Sequence, residues 1–350
     1  MTSHLRRLAR IAVTGAALAF APATAFAQTD VKFVLDWAWQ AMHGPFLIAL
    51  DKGYYADEGL NVTIDRGFGS GDTIAKVASG AYEIGFAEGT GLLKFNTENP
   101  DDAVITVMVI NDQSPTGVIS LKKNGVETPA DLPGKKISAT QNAATVLAWP
   151  VFAKINGLDP ESIEYVFVEP NLRDAMVIQG RADATFGFST TTVLNMIQAG
   201  MAPEDVTYFT LAQHGLQPYS SGIIVRKDYA EENPEVVAGF VRATVKGLLD
   251  MLEDPAAGIA LLKEREPLVD TEVEARRWDL AEELSILTPS VVEKGISAVD
   301  RERFETAAKQ IAEAFGMDVE PNMDDYYSGE FLPALEERQI SDAVKARAAQ

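Results

Sequence analysis

The chain has 350 residues, 51 acidic against 30 basic side chains, a formal net charge of −21 and no cysteine. Without cysteine, disulfides, thiolate metal sites, cysteine nucleophiles and a lipid-modified cysteine anchor are excluded. The acid excess argues against nucleic acid and anionic lipid surfaces as partners.

The first 27 residues read as an export signal. Arg6, Arg7 and Arg10 form a basic region, Ile11 to Phe20 a short apolar core, and Ala25-Phe-Ala27 a small-x-small cleavage site. Cleavage after Ala27 predicts a periplasmic protein starting at Gln28, and loss of three arginines takes the balance from −21 to −24. No later segment is apolar for the roughly 20 residues that a spanning helix needs. The remaining chain is longer than one core usually holds, so two lobes are expected.

Val31-Lys-Phe-Val-Leu35 is a nearly continuous apolar run, as in a parallel strand covered on both faces. Asp36, Trp37, Trp39 and His43 follow at its carboxyl end, where open α/β sheets bind ligands. Trp37 and Trp39 are candidates for a stacking wall, with core filling as the alternative for either. A helical segment with Phe46, Leu47 and Leu50 ends at Gly53, and Val62–Ile64 is the next strand. Gly67-Phe-Gly-Ser-Gly-Asp-Thr73 is a glycine-rich turn into a helix, so Ser70, Gly71 and Thr73 are candidates to hold an anion. The alternative there is an ordinary helix cap.

Gly80-Ala-Tyr-Glu83-Ile-Gly-Phe86 is echoed as Gly180-Arg-Ala-Asp183-Ala-Thr-Phe186, each behind a short apolar helix and a strand. The reading is one helix–Gly–strand unit per lobe, with glycine ending the helix. Glu88 follows the first copy and is a candidate partner for a ligand amino group. Ile105–Ile110 is a first-lobe strand, and Asn111–Thr116 the link to the second lobe. Strand Lys136–Ala139 runs into a second helix start, which makes Thr140, Asn142 and Ala143 ligand candidates. Arg173 is read as opening a helix beside Glu169. Ser189 and Thr190, after the second echo strand, either reach ligand oxygens or cap a helix. The chain crosses back near Gly215–Gly222, where Tyr219 either closes over the ligand or packs the hinge. The expected division is 28–112 with 226–350 for lobe 1 and 113–225 for lobe 2.

The last third reads as helices packed on the first lobe. Asn233-Pro234 opens one, Thr271-Glu-Val-Glu274 is a capping box for another, and Phe304, Ile311 and Phe315 line a third ended by Gly316.

The order of parts, Asp36-Trp37 followed by His43, and Lys52-Gly-Tyr-Tyr-Ala-Asp-Glu-Gly-Leu60 resemble the solute-binding proteins of the sulfonate/nitrate/taurine and thiamine-pyrimidine uptake family. That resemblance implies an α/β, two-lobed, type II periplasmic-binding-protein fold with ligand in the cleft. It also implies a monomer that hands a small molecule to a membrane ABC permease. The ligand reads as a heterocyclic or aromatic nutrient, or an alkylsulfonate, taurine or nitrate-type anion. Two departures bear on it: Trp39-Gln40 stands where the pyrimidine-binding branch usually has Pro-Asn, and that branch's tryptophan and glutamate are missing near Phe188–Thr192. The same family contains pyrimidine-precursor synthases, an enzyme alternative associated with a cysteine-rich motif that this chain lacks. No catalytic residue, metal site or cofactor is expected.

Overall fold

The computed structural model describes residues 28–349, so the expected export signal lies outside the described residues. Ten strands make two sheets: β1 Thr29–Val34, β2 Leu60–Asp65, β3 Ile84–Glu88, β4 Val104–Val109, β5 Thr116–Leu121, β6 Lys136–Ala139, β7 Glu164–Phe167, β8 Ala184–Phe188, β9 Val206–Thr210 and β10 Ser221–Arg226. The sheet orders are β2-β1-β3-β10-β4 and β7-β6-β8-β5-β9, one plan used twice. In each, the fourth strand is the antiparallel one: β10 between β3 and β4, β5 between β8 and β9. Each of these two strands is the one the chain forms on crossing from the other sheet, β5 after β4 and β10 after β9. Strand β10 belongs to the first sheet, so the chain re-enters that sheet at Ser221 rather than at 226.

The echoed heptads occupy equivalent places. Gly80 and Gly180 take φ of 71° and 69°, the left-handed turn that ends each preceding helix. The Glu83 carboxylate accepts the Lys32 N–H at 2.7 Å and the Asp183 carboxylate accepts the Lys136 N–H at 2.8 Å. Each acid thus ties its loop to the adjacent parallel strand just before Phe33↔Ile84 and Ile137↔Ala184 pair.

Two main cores follow, one per sheet. Helix Pro234–Glu253 crosses Gly44–Asp51 closely, and Gly247 is required there because a Cβ would stand 2.2 Å from Pro45 O. The C-terminal helices do not all pack on the first lobe. Helix Arg301–Phe315 places Ile311, Ala312 and Ala314 in the second core, against helix Ala144–Ile155. Helix Thr271–Ala281 lies against second-lobe helix Ser189–Gln198. An apolar stripe shows that a helix is covered, not by which lobe. The expected capping box also fails to form: Asp270 is the N-cap, accepting from Glu272 and Val273 N–H, and Glu274 is turned inward.

Candidate functional site

The carboxyl ends of β1, β3, β6 and β8 meet around a partly open cavity. After β1 the chain turns sharply at Asp36, whose carbonyl accepts the Gly69 N–H at 2.7 Å while Trp37 O accepts Gly67 N–H at 3.0 Å. That contact requires glycine at 67, since a Cβ would fall 1.9 Å from Leu35 O. His43 closes the turn. Its Nδ1 accepts the Gln40 N–H at 3.2 Å, so the ring proton sits on Nε2, 3.1 Å from Asp36 Oδ1. Trp37, Phe86 and Phe188 supply aromatic walls, and Ser70, Thr145 and Thr191 polar ones.

The second lobe contributes a buried cation. Arg173 borders the cavity with its guanidinium 5.4 Å from the Trp37 ring centre. Its Nε donates to Asp174 at 2.9 Å and Nη2 to Thr192 Oγ1 at 2.7 Å. Ala144 and Thr145 also border the cavity, and their amides open helix Ala144–Ile155, where N–H groups lack intrahelical partners.

Direct bonds cross between the lobes. Gly71 N–H donates to Asn142 O at 3.0 Å, and Thr191 Oγ1 donates to Gln40 Oε1 at 2.9 Å. Arg277 ties helix Thr271–Ala281 to the second lobe, donating from Nη1 to the Thr190 and Thr191 carbonyls at 3.1 and 3.0 Å. Its Nε meets Glu274, which accepts Ala41 N–H at 2.7 Å beside the cavity-lining Gln40 and Met42.

Of the sequence candidates, Trp37, His43, Ser70 and Ala143 come together around this cavity. Trp39 is buried in the first core, with the Arg265 guanidinium 4.2 Å from its ring centre, and does not border it. Gly71 spends its amide on Asn142, and Thr73 donates its hydroxyl to Leu35 O at 2.8 Å. Glu88 is fully buried and caps the next turn, accepting Thr90 N–H at 2.9 Å and the Thr90 hydroxyl. Burial pushes its carboxyl up to about 7 despite those bonds, and nearby Asp36 adds to the rise. Thr140 and Asn142 face a separate open concavity beside Phe68 and Phe167. Asn142 has φ 64°, a left-handed conformation that asparagine tolerates. Ser189 donates to Pro115 O at 3.1 Å, and the Thr190 hydroxyl faces Met42 Sδ at 3.8 Å. Tyr219 lines a different cavity behind the hinge, its hydroxyl accepting Asp300 N–H at 2.8 Å beneath Arg303.

Arg173 and Thr191 were not among the sequence candidates yet border the cavity; Arg173 does open helix Arg173–Ile178, and its ion-pair partner is Asp174. Laying one echoed half on the other puts Arg173 at the position of Thr73, a signal that was present in the spacing.

Two lobes of one plan, crossed twice by the chain and closing on a cavity at their strand ends, define a clamp of the periplasmic-binding-protein fold. The chain belongs to the NMT1/THI5-like family, whose model matches residues 40–258. It is 29% identical to the formylaminopyrimidine-binding protein of Halalkalibacterium halodurans over 66% of this chain and 69% of that one. It is 24% identical to the 4-amino-5-hydroxymethyl-2-methylpyrimidine phosphate synthase of Legionella pneumophila over 70% and 76%. The alkanesulfonate-binding protein SsuA of Xanthomonas axonopodis pv. citri, solved bound to MOPS, has the same fold, with TM-score 0.65 and 16% identity over 87% and 99%.

Proposed function

We propose that this protein is the exported substrate-binding component of an ABC importer, a monomer that closes on a small organic molecule and presents it to a membrane permease. The observation that carries this reading is the cavity itself. Its walls come from both lobes, and hydrogen bonds between Gly71 and Asn142 and between Thr191 and Gln40 hold it shut. A ligand enclosed there touches both lobes, so its binding energy favours the closed form over an open one. Family membership and the binding protein from H. halodurans support the same reading.

The relatives also include pyrimidine phosphate synthases, which makes turnover the second reading. The complete lack of cysteine and the basic–apolar–small N-terminus favour binding without turnover. Native mass spectrometry of protein taken from the periplasm tests both. A small molecule released unchanged on denaturation, from a chain beginning at Gln28, is the expected outcome. A chemically altered molecule after incubation favours the synthase reading, and no small-molecule binding under any condition removes the import reading.

A further inference from the structure

We infer that the cavity selects an aromatic or heteroaromatic carboxylate that also carries an amino group, with the carboxylate on Arg173 and the amino group on Asp36. This rests on the binding-protein reading and concerns only what is bound. Asp36 comes from the first lobe and Arg173 from the second; both are more than nine-tenths buried and both border the cavity. They form no ion pair with each other, although opposite charges sharing one small cavity attract strongly. Each also keeps unused capacity. One Asp36 oxygen accepts from His43, and Oδ2 has no partner among the described residues. Arg173 has five N–H donors, of which one goes to Asp174 and one to Thr192. Three N–H groups therefore remain, two on Nη1 and one on Nη2, for a planar carboxylate to accept from. The open amides of Ala144 and Thr145 add partial positive charge on the same lobe.

Donor balance points the same way. Arg173 is already paired with Asp174, while the second Asp36 oxygen still lacks a donor, which a bare anion cannot supply. A ligand whose amino group donates to Asp36 while its carboxylate sits on Arg173 meets both groups and links the lobes through its own frame. Trp37, Phe86 and Phe188 require that frame to be flat.

Isothermal titration of the full mature chain with 4-aminobenzoate, its uncharged twin 4-aminobenzamide, amine-free benzoate and 4-aminobenzenesulfonate tests this. The expected result is that 4-aminobenzoate binds roughly tenfold or more tightly than the amide and the benzoate, since each lost partner leaves a buried charged group unmet. Asp36→Asn, which keeps an acceptor for His43, should erase the advantage over benzoate and leave the advantage over the amide. Arg173→Lys, which keeps the charge but loses the planar fork, should bring carboxylate and sulfonate to similar affinity. The inference is overturned if the amide matches the carboxylate, if the sulfonate binds more tightly than the carboxylate, or if 4-aminobenzoate releases no heat. The comparison among ligands on the unaltered protein stands even if a variant fails to fold. A molecule without a carboxylate found by native mass spectrometry overturns the inference while leaving the binding role intact.

Discussion

Trp37 and Trp39 stand two positions apart on one strand exit yet have different surroundings, and their substitutions should separate cleanly. Trp39 is core, so Trp39→Ala should cost about 3–5 kcal/mol in chemical denaturation and leave ligand affinity of the folded fraction unchanged. Trp37 is half-buried against the cavity, so Trp37→Ala should weaken binding by roughly tenfold with a smaller loss of stability. Equal effects on affinity from both variants would contradict the geometry. Glu88 gives a pH signature. Burial raises its carboxyl from 4.5 when free to about 7 in the fold, so between those values the folded protein holds the extra proton. Stability from this group is therefore highest below 4.5, falls as pH rises to about 7, and is flat above, a change of roughly 3 kcal/mol. Glu88→Gln keeps an acceptor for Thr90 and should flatten that segment in denaturation curves taken from pH 4.5 to 8.

Helix Thr271–Ala281 acts as a bracket between the lobes. Arg277 and Glu274 are both buried, and together they hold the Thr190–Thr191 carbonyls on one side and the Ala41 N–H on the other. Arg277→Met should destabilise the protein by about 3–5 kcal/mol, because Glu274 is left as an unpaired buried charge. Adding Glu274→Leu should recover part of that loss, leaving the double variant more stable than Arg277→Met alone. Strict additivity of the two losses would show that the pair is not coupled. Thr271-Glu-Val-Glu274 has the spacing of a capping box, yet Asp270 takes the cap and Glu274 is drawn to the Arg277 guanidinium. Local spacing states which bonds are available, while burial beside a cation decides which is made.

The whole molecule should change shape with occupancy. The lobe-to-lobe bonds through Gln40, Asn142, Thr191 and Arg277 describe a closed form, in which segments 110–115 and 211–220 link strands of the two sheets. Small-angle scattering of ligand-free protein should give a larger radius of gyration than the saturated protein. Arg277→Met should enlarge the ligand-free radius further if it shifts the balance toward open forms. An unchanged radius across all three samples would mean a clamp that stays closed.

Much of this was legible in the chain of residues. The apolar runs at Val31–Leu35 and Ile105–Ile110 and the Gly80/Gly180 echo identified two α/β units, because strand burial and left-handed glycine turns are local requirements written into residue type. That Trp37, His43, Ser70 and Ala143 would border a cavity was legible from their position just beyond a strand or at a helix start. Contacts between segments distant in sequence were not legible. Trp39 lies under Arg265, Glu88 is used by Thr90 within its own turn, Arg173 enters the cavity from the other lobe, and helix Arg301–Phe315 packs on the second core. A side chain's chemistry is set by its own atoms, but its role depends on which neighbour occupies the space beside it. For Arg173 and Asp36, that space exists only when two lobes built from separate stretches of chain close against each other.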